Sequence, residues 1–108
     1  MSTTENYWSS TEKEIAQKAF AKARSREINT LIETVRNAAS SVSNLDEIWR
    51  LHDYLSSKRY EIDGKYDDRE SVLIFVFSQL VKEGWLSVEE LEGLNSDKIA
   101  KLNALAKM

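Results

Sequence analysis

From Ile15 onwards, apolar residues recur at spacings of three and four. Ile15, Ala19, Phe20, Ala23, Ile28, Leu31, Ile32, Val35, Ala39 and Val42 thereby form one stripe along a helix. Ser9 and Glu12 stand just ahead of it at capping-box spacing, although Ser10 or Thr11 could cap instead. The pattern predicts a helix from Thr11 to about Ser41, about 46 Å long at a rise of 1.5 Å per residue. A compact domain of this size is only about 34 Å across, so the helix overshoots its own domain. An apolar stripe that runs past the core needs cover. Either a second copy of the chain supplies it, or the helix kinks near Ser25 or Ser40 and folds back on itself.

The tract Ser40 to Asn44 is poor in helix formers, and Asn44 with Glu47 repeats the capping spacing, so a second helix is expected from Leu45 to Ile62 or Asp63, ended by Gly64. On its wheel Leu51, Ile62, Leu55 and Ile48 share one apolar stripe, with Arg59, His52 and Leu45 continuing its edge. Trp49, Tyr60 and Asp53 form the shoulder. A third helix is expected from Asp68 to Glu83, capped by Asp67 and Glu70 and ended by Gly84. Val72, Leu73, Ile74, Val76, Phe77, Leu80 and Val81 cover most of its circumference and make it the buried central helix. Ser71, Ser78, Gln79 and Lys82 form its polar strip, and Phe75 falls within that strip as an exposed aromatic. Trp85 and Leu86 pack back, Ser87 and Glu90 cap a short helix ended by Gly93, and a last helix follows from Asp97 to Lys107. It buries Ile99, Leu102, Leu105 and Ala106 and leaves Lys98 and Lys101 outside. The expected fold is all-α: a single helical domain over residues 1–108, with a long helical dimerisation region over about 9–63 and a small helical head over about 64–108, associating as a homodimer.

Composition narrows the function classes. The chain has 108 residues, no cysteine, no proline and three glycines. That excludes disulfide frameworks and thiolate chemistry, fits a reducing cytosolic compartment, and agrees with helices joined by few special turns. The first residues have neither a basic leader nor a signal-length apolar run, and the run from Val72 to Phe77 is far short of the ~20 residues of a membrane span, so a soluble protein is expected. Acidic residues outnumber basic ones by 18 to 15, and no segment has the basic excess that phosphate-backbone binding requires. No nucleic acid is expected as a partner.

The only histidine, His52, has no ordinary orienting carboxylate among its helical neighbours, since Asp53 points about 100° away. Ligand spacings for a metal on one helix face are absent around Asp46, Glu47, His52 and Asp53. Residues Asp63 to Glu70 fail as a calcium loop, because Lys65 and Asp68 fall where a ligand and the glycine belong. No catalytic residue, metal or cofactor is expected. The mixed face of the second helix remains. The plainer reading pairs Arg59 with Asp63 and leaves His52 semi-buried. The functional one makes Trp49, His52, Asp53, Arg59 and Tyr60 an interface patch, because aromatics and arginine concentrate where partners bind.

The segments IWRLHDYL, KRYEIDGKYDDR and IFVF, in that order and spacing, resemble the fluorescence recovery protein family of cyanobacteria, as do Trp8-Ser9 and the closing KIAKLNALAKM. Tyr60 departs from a more usual polar residue, which bears on its own role alone. The resemblance implies a regulator of photoprotection, not an enzyme, that works as a homodimer in the cytoplasm near the thylakoid surface. It implies binding to the C-terminal domain of the light-activated orange carotenoid protein, faster return of that protein to its orange form, and its release from the phycobilisome. Trp49, His52, Asp53 and Arg59 match the family's patch on the long helical region, and Phe75 and Lys101 match its partner contacts on the head. The dimer seam would comprise Leu45, Ile48, Trp49, Asp53 and Arg59. The alternative is a helical adaptor for transcription or assembly that binds a protein and accelerates nothing.

Overall fold

A computed structural model describes residues 7–108. It contains four α-helices in chain order, α1 (Ser10–Ser41), α2 (Leu45–Lys65), α3 (Leu73–Glu83) and α4 (Ser96–Ala106), with a 3₁₀ turn (Val88–Leu91) between the last two. The described residues form no strand beyond an isolated bridge between Glu92 and Leu94. The fold is all-α. Its extents are 60 × 23 × 21 Å and its radius of gyration is 17.0 Å, well above the ~13 Å of a compact chain of this length. The elongation comes from α1, which runs unbroken through Ser25; the chain reverses only after Ser41.

One core occupies one end. Trp8, Ala16, Ala19 and Ala23 pack against Leu73, Ile74, Val76, Phe77 and Leu80, and Leu86, Leu91, Leu94 and Leu102 close the other side. Within this core the closest helix packing is between α3 and α4, and most of the apolar circumference of α3 is buried as its pattern predicts. Gly84 ends α3 in the left-handed conformation (φ 88°). Gly93 (φ 108°) does more than turn the chain: a Cβ there would lie 2.5 Å from Ile15 Cδ1, so α1 passes directly over this backbone. Beyond Glu27 no residue of α1 is fully buried. The outer half of its stripe leans on α2, with Ile32 left exposed. Together α1 and α2 form an arm that projects from the head.

Four local expectations are corrected. Gly64 does not end α2: it lacks a positive φ, and the helix continues to Lys65, whose ammonium bonds across to α1 and α3. Asp67 and Glu70 do not cap α3. Asp67 accepts from the backbone and guanidinium of Arg69, Glu70 pairs with Lys13, and α3 begins at Leu73 without a side-chain cap. Ser78 belongs to the interior, its hydroxyl donating to the Phe75 carbonyl one turn back. Lys98, expected outside, is 0% exposed.

Lys98 is buried because it is paired. Its Nζ lies 3.2 Å from both oxygens of Glu12, 4.7 Å from the Trp8 ring centroid, and donates to the Tyr7 carbonyl. Glu12 completes the capping box of α1 with Ser9 and also accepts the Asn95 amide ahead of α4. One carboxylate thus ties the first turns of α1 and α4 together. Burial pushes the Glu12 carboxyl up, but the bonds from Ser9, Asn95 and Lys98 more than reverse this and hold it below its ordinary 4.5. Farther along, Arg26 of α1 clamps Glu90 of the 3₁₀ turn with two 2.7 Å bonds and holds its carboxyl down to about 2.

Removing the Lys98 ammonium leaves a buried carboxylate without its counter-charge. Lys98→Met should therefore cost about 3–5 kcal/mol in urea unfolding. Because the Glu12 pKa is depressed in the folded state, its contribution is complete above 4.5 and is lost as pH falls through the folded value. Stability measured against pH should decline in that direction, and Glu12→Gln should flatten part of the decline.

Candidate functional site

The sequence-predicted residues divide between two surfaces. On the arm, Leu45, Ile48 and Trp49 are exposed on α2, with Trp49 at 55%. Asn44 starts the helix by accepting the Glu47 amide at 2.9 Å, and Ile62 is the one residue of α2 that is buried. The Trp49 and His52 rings meet edge to face at 6.4 Å. His52 Nδ1 lies 3.3 Å from Asp53 Oδ1 with 70% of the His52 side chain exposed, so the histidine is not semi-buried and its carboxylate neighbour is closer than its helical position suggests. Arg59 reaches Asp63 at 3.8 Å, and both are open to water. Tyr60 is among the most exposed large side chains. Leu45, Ile48, Trp49, His52, Asp53 and Arg59 therefore share one bare helix of mixed apolar and charged character.

On the head, Phe75 projects from α3 at 51% exposure while its neighbours Ile74, Val76 and Phe77 are buried. The ammonium of Lys101 on α4 lies 5.3 Å from the Phe75 ring centroid. The fold thus brings together two residues separated by 26 positions into an aromatic surface edged by a cation.

A charged junction unanticipated from the sequence lies between the two surfaces. Lys65 Nζ is 2.7 Å from Glu27 on α1 and 2.7 Å from Glu83 on α3, and 3.6 Å from Glu61 on α2 itself. Glu27 also accepts the Tyr66 hydroxyl at 2.7 Å, and Glu83 accepts from Gln79 and from the Trp85 indole. Burial lowers the Lys65 pKa, but its bonds to Glu27 and Glu83 more than compensate and hold it above its ordinary 10.5. Burial raises the Tyr66 pKa, and the bond to Glu27 adds to the rise. Oxygens of Glu27, Glu61 and Glu83 lie within 4.8 Å of one another, a spacing able to hold a metal ion. The lysine of the same chain fills that role, putting its own positive charge where a cation would sit. Partners 38 and 18 positions away leave no local signal. The capping boxes were legible because their two halves are only three positions apart.

Neither surface supports the core, which has a measurable consequence. Phe75→Ala and Trp49→Ala should each shift the unfolding free energy from urea titration by only about 0.5 kcal/mol, measured at dilutions where association between chains contributes nothing. A loss of several kcal/mol would mean that these rings are structural.

The family described as "Photoprotection regulator fluorescence recovery protein" matches residues 8–106. A curated fluorescence recovery protein from Synechocystis sp. is 51% identical over 108 residues, spanning 100% of this chain and 99% of the relative. The solved structure of the Fremyella diplosiphon fluorescence recovery protein superposes with a TM-score of 0.93 at 56% identity, covering 94% of this chain and 100% of that one. The Synechocystis structure superposes with a TM-score of 0.92 at 52% identity and the same coverage.

Proposed function

Because the chain belongs to the photoprotection regulator family of fluorescence recovery proteins, we propose that it binds the light-activated orange carotenoid protein and speeds its return to the orange form. Release of that partner from the phycobilisome follows, and light harvesting resumes. The observation that carries this reading is Phe75: a half-exposed aromatic in an otherwise enclosed segment, with the Lys101 ammonium over its ring. A ring in that setting gains by burial against a partner surface and does nothing for the core. Phe75 and Lys101 contact the C-terminal domain of the partner, and Trp49, His52, Asp53 and Arg59 form the second part of the interface.

The same arm makes a homodimer. Leu45, Ile48, Trp49, Asp53 and Arg59 line the seam, and cover by a second copy contributes on the order of 1 kcal/mol for each half-exposed apolar side chain buried. No bond is made or broken by this protein, so it is not an enzyme in the chemical sense. Acceleration arises from binding the transition state of the partner's domain re-closure more tightly than its activated state, and each tenfold in rate corresponds to about 1.36 kcal/mol. The carotenoid belongs to the partner. Among the described residues no helix is long and apolar enough to cross a membrane; the site of action is the cytoplasm, at the thylakoid surface where the phycobilisome lies.

Catalytic amounts of the protein added to photoactivated orange carotenoid protein should accelerate the red-to-orange absorbance decay in the dark. Decay no faster than the spontaneous rate would leave a helical adaptor as the reading. Phe75→Ala should slow the assisted decay while the elution size stays that of the parent. Ile48→Glu should elute as a monomer in size-exclusion chromatography with light scattering; an unchanged mass would remove Ile48 from the seam.

A further inference from the structure

The arm has little to hold it in place. Ile62 is the only buried residue of α2, and the helix is otherwise half-buried or bare from Leu45 onwards. At its last residue, however, the Lys65 side chain is only 7% exposed and bonds to α1 and α3 at once. The carboxylates it touches come from three helices, and their oxygens lie within 4.8 Å of one another. With the ammonium present these charges pull α1, α2 and α3 together. Without it, three like charges at that spacing push the same helices apart.

The junction also borders the head surface. Glu61, Lys65, Phe75, Val76, Gln79 and Glu83 line one groove between the end of α2 and α3. Any change in how α2 meets α3 therefore alters the distance from the arm to Phe75. We propose that Lys65, held by Glu27 and Glu83, is a positioning residue that fixes the angle between arm and head, and with it the separation of the Trp49–Arg59 surface from the Phe75–Lys101 surface. The geometric part stands on the junction alone; its consequence for recovery rests on the function proposed above. Lys65 makes no contact with the partner in this scheme. It acts by keeping two contact surfaces in register, so that both engage the same partner state.

The parent chain has no cysteine, so Arg50→Cys on the arm and Ala104→Cys on the head give one pair of spin labels, both at exposed positions. Labelled chains diluted into excess unlabelled protein report the distance within one chain. The parent background should give a single narrow distance by pulsed electron paramagnetic resonance. Lys65→Gln should lose that narrow peak, and Lys65→Arg, which retains the charge, should restore it. In the recovery assay Lys65→Gln should lose acceleration by on the order of 10–100-fold, the scale expected of misplaced contacts, whereas Phe75→Ala should lose acceleration with its narrow distance intact. A folded Lys65→Gln chain that keeps the parent distance overturns the proposal, as does a Lys65→Arg chain that fails to restore it. If Lys65→Gln does not fold by circular dichroism, Glu83→Gln decides: a broadened distance supports the proposal and an unchanged one overturns it. A parent chain that accelerates nothing, while the distances respond as described, removes the proposed function and leaves the positioning role standing.

Discussion

The head is closed by one buried ion pair. Glu12 caps the first turn of α1, accepts the amide that precedes α4, and neutralises Lys98, whose ammonium also faces the Trp8 ring. Two helix beginnings that are 86 positions apart are thereby fixed to one carboxylate. A buried pair of this kind is not favourable merely because opposite charges meet, since desolvation offsets much of the attraction. Its value lies in satisfying several donors at once: the Ser9 and Asn95 amides and the ammonium share two oxygens, and none of them could be buried without such a partner. With that anchor in place, the alanines of α1 join the same core as α3, and Arg26 and Gly93 fix the 3₁₀ turn against α1.

From that anchor the rest follows by length. The core extends along α1 only as far as Ala23 and Glu27, so the remaining turns of the helix have no core to face. The α2 helix returns alongside them without enclosing them. Elongation is therefore a result of sequence pattern: the apolar stripe of α1 outlasts the number of large side chains available in the head. Charged groups do at the junction what the core does elsewhere. Lys65 and its carboxylates hold α1, α2 and α3 together where apolar contact is sparse, and their hydrogen bonds provide direction that apolar packing would not.

Much of this was legible in the sequence, for local reasons. Ser9 with Glu12, Asn44 with Glu47 and Ser87 with Glu90 cap where their spacing places them, Gly84 and Gly93 adopt positive φ, and Phe75 stands out of an apolar helix. The failures share another cause. Lys98 looked external because its helical position is polar, and nothing nearby in the chain predicts Glu12. Gly64 looked like a terminator because glycine ends many helices, but a helix ends where its side chains gain most, and Lys65 gains three carboxylates by remaining helical. Asp67 and Glu70 have the spacing of a capping box, yet Arg69 and Lys13 compete for them. The exposed arm was legible as a stripe needing cover; what covers it was not, since a pattern of apolar positions does not specify its partner.

If the arm and the head are the two recognition surfaces proposed above, the protein must hold them apart as well as expose them. A helix does this with little material, because its rise of 1.5 Å per residue sets the interval from Trp49 to Lys65 at about 24 Å without any core. Rigidity along the axis comes from the backbone bonds, so side chains such as Trp49, His52 and Arg59 are left free of structural duty. The weak point is the helix end, where a small change in angle becomes a large displacement at the tip. It is there that α2 carries its only buried residue and its most enclosed charge. Had the junction been apolar, α2 could slide against α1 and α3 at small cost, because apolar contacts are largely non-directional. Ionic bonds from one ammonium to two separate helices have no equivalent neighbouring arrangement into which to slip. For a function proposed to depend on binding one state of a partner better than another, that loss of alternatives matters more than the stability the junction contributes.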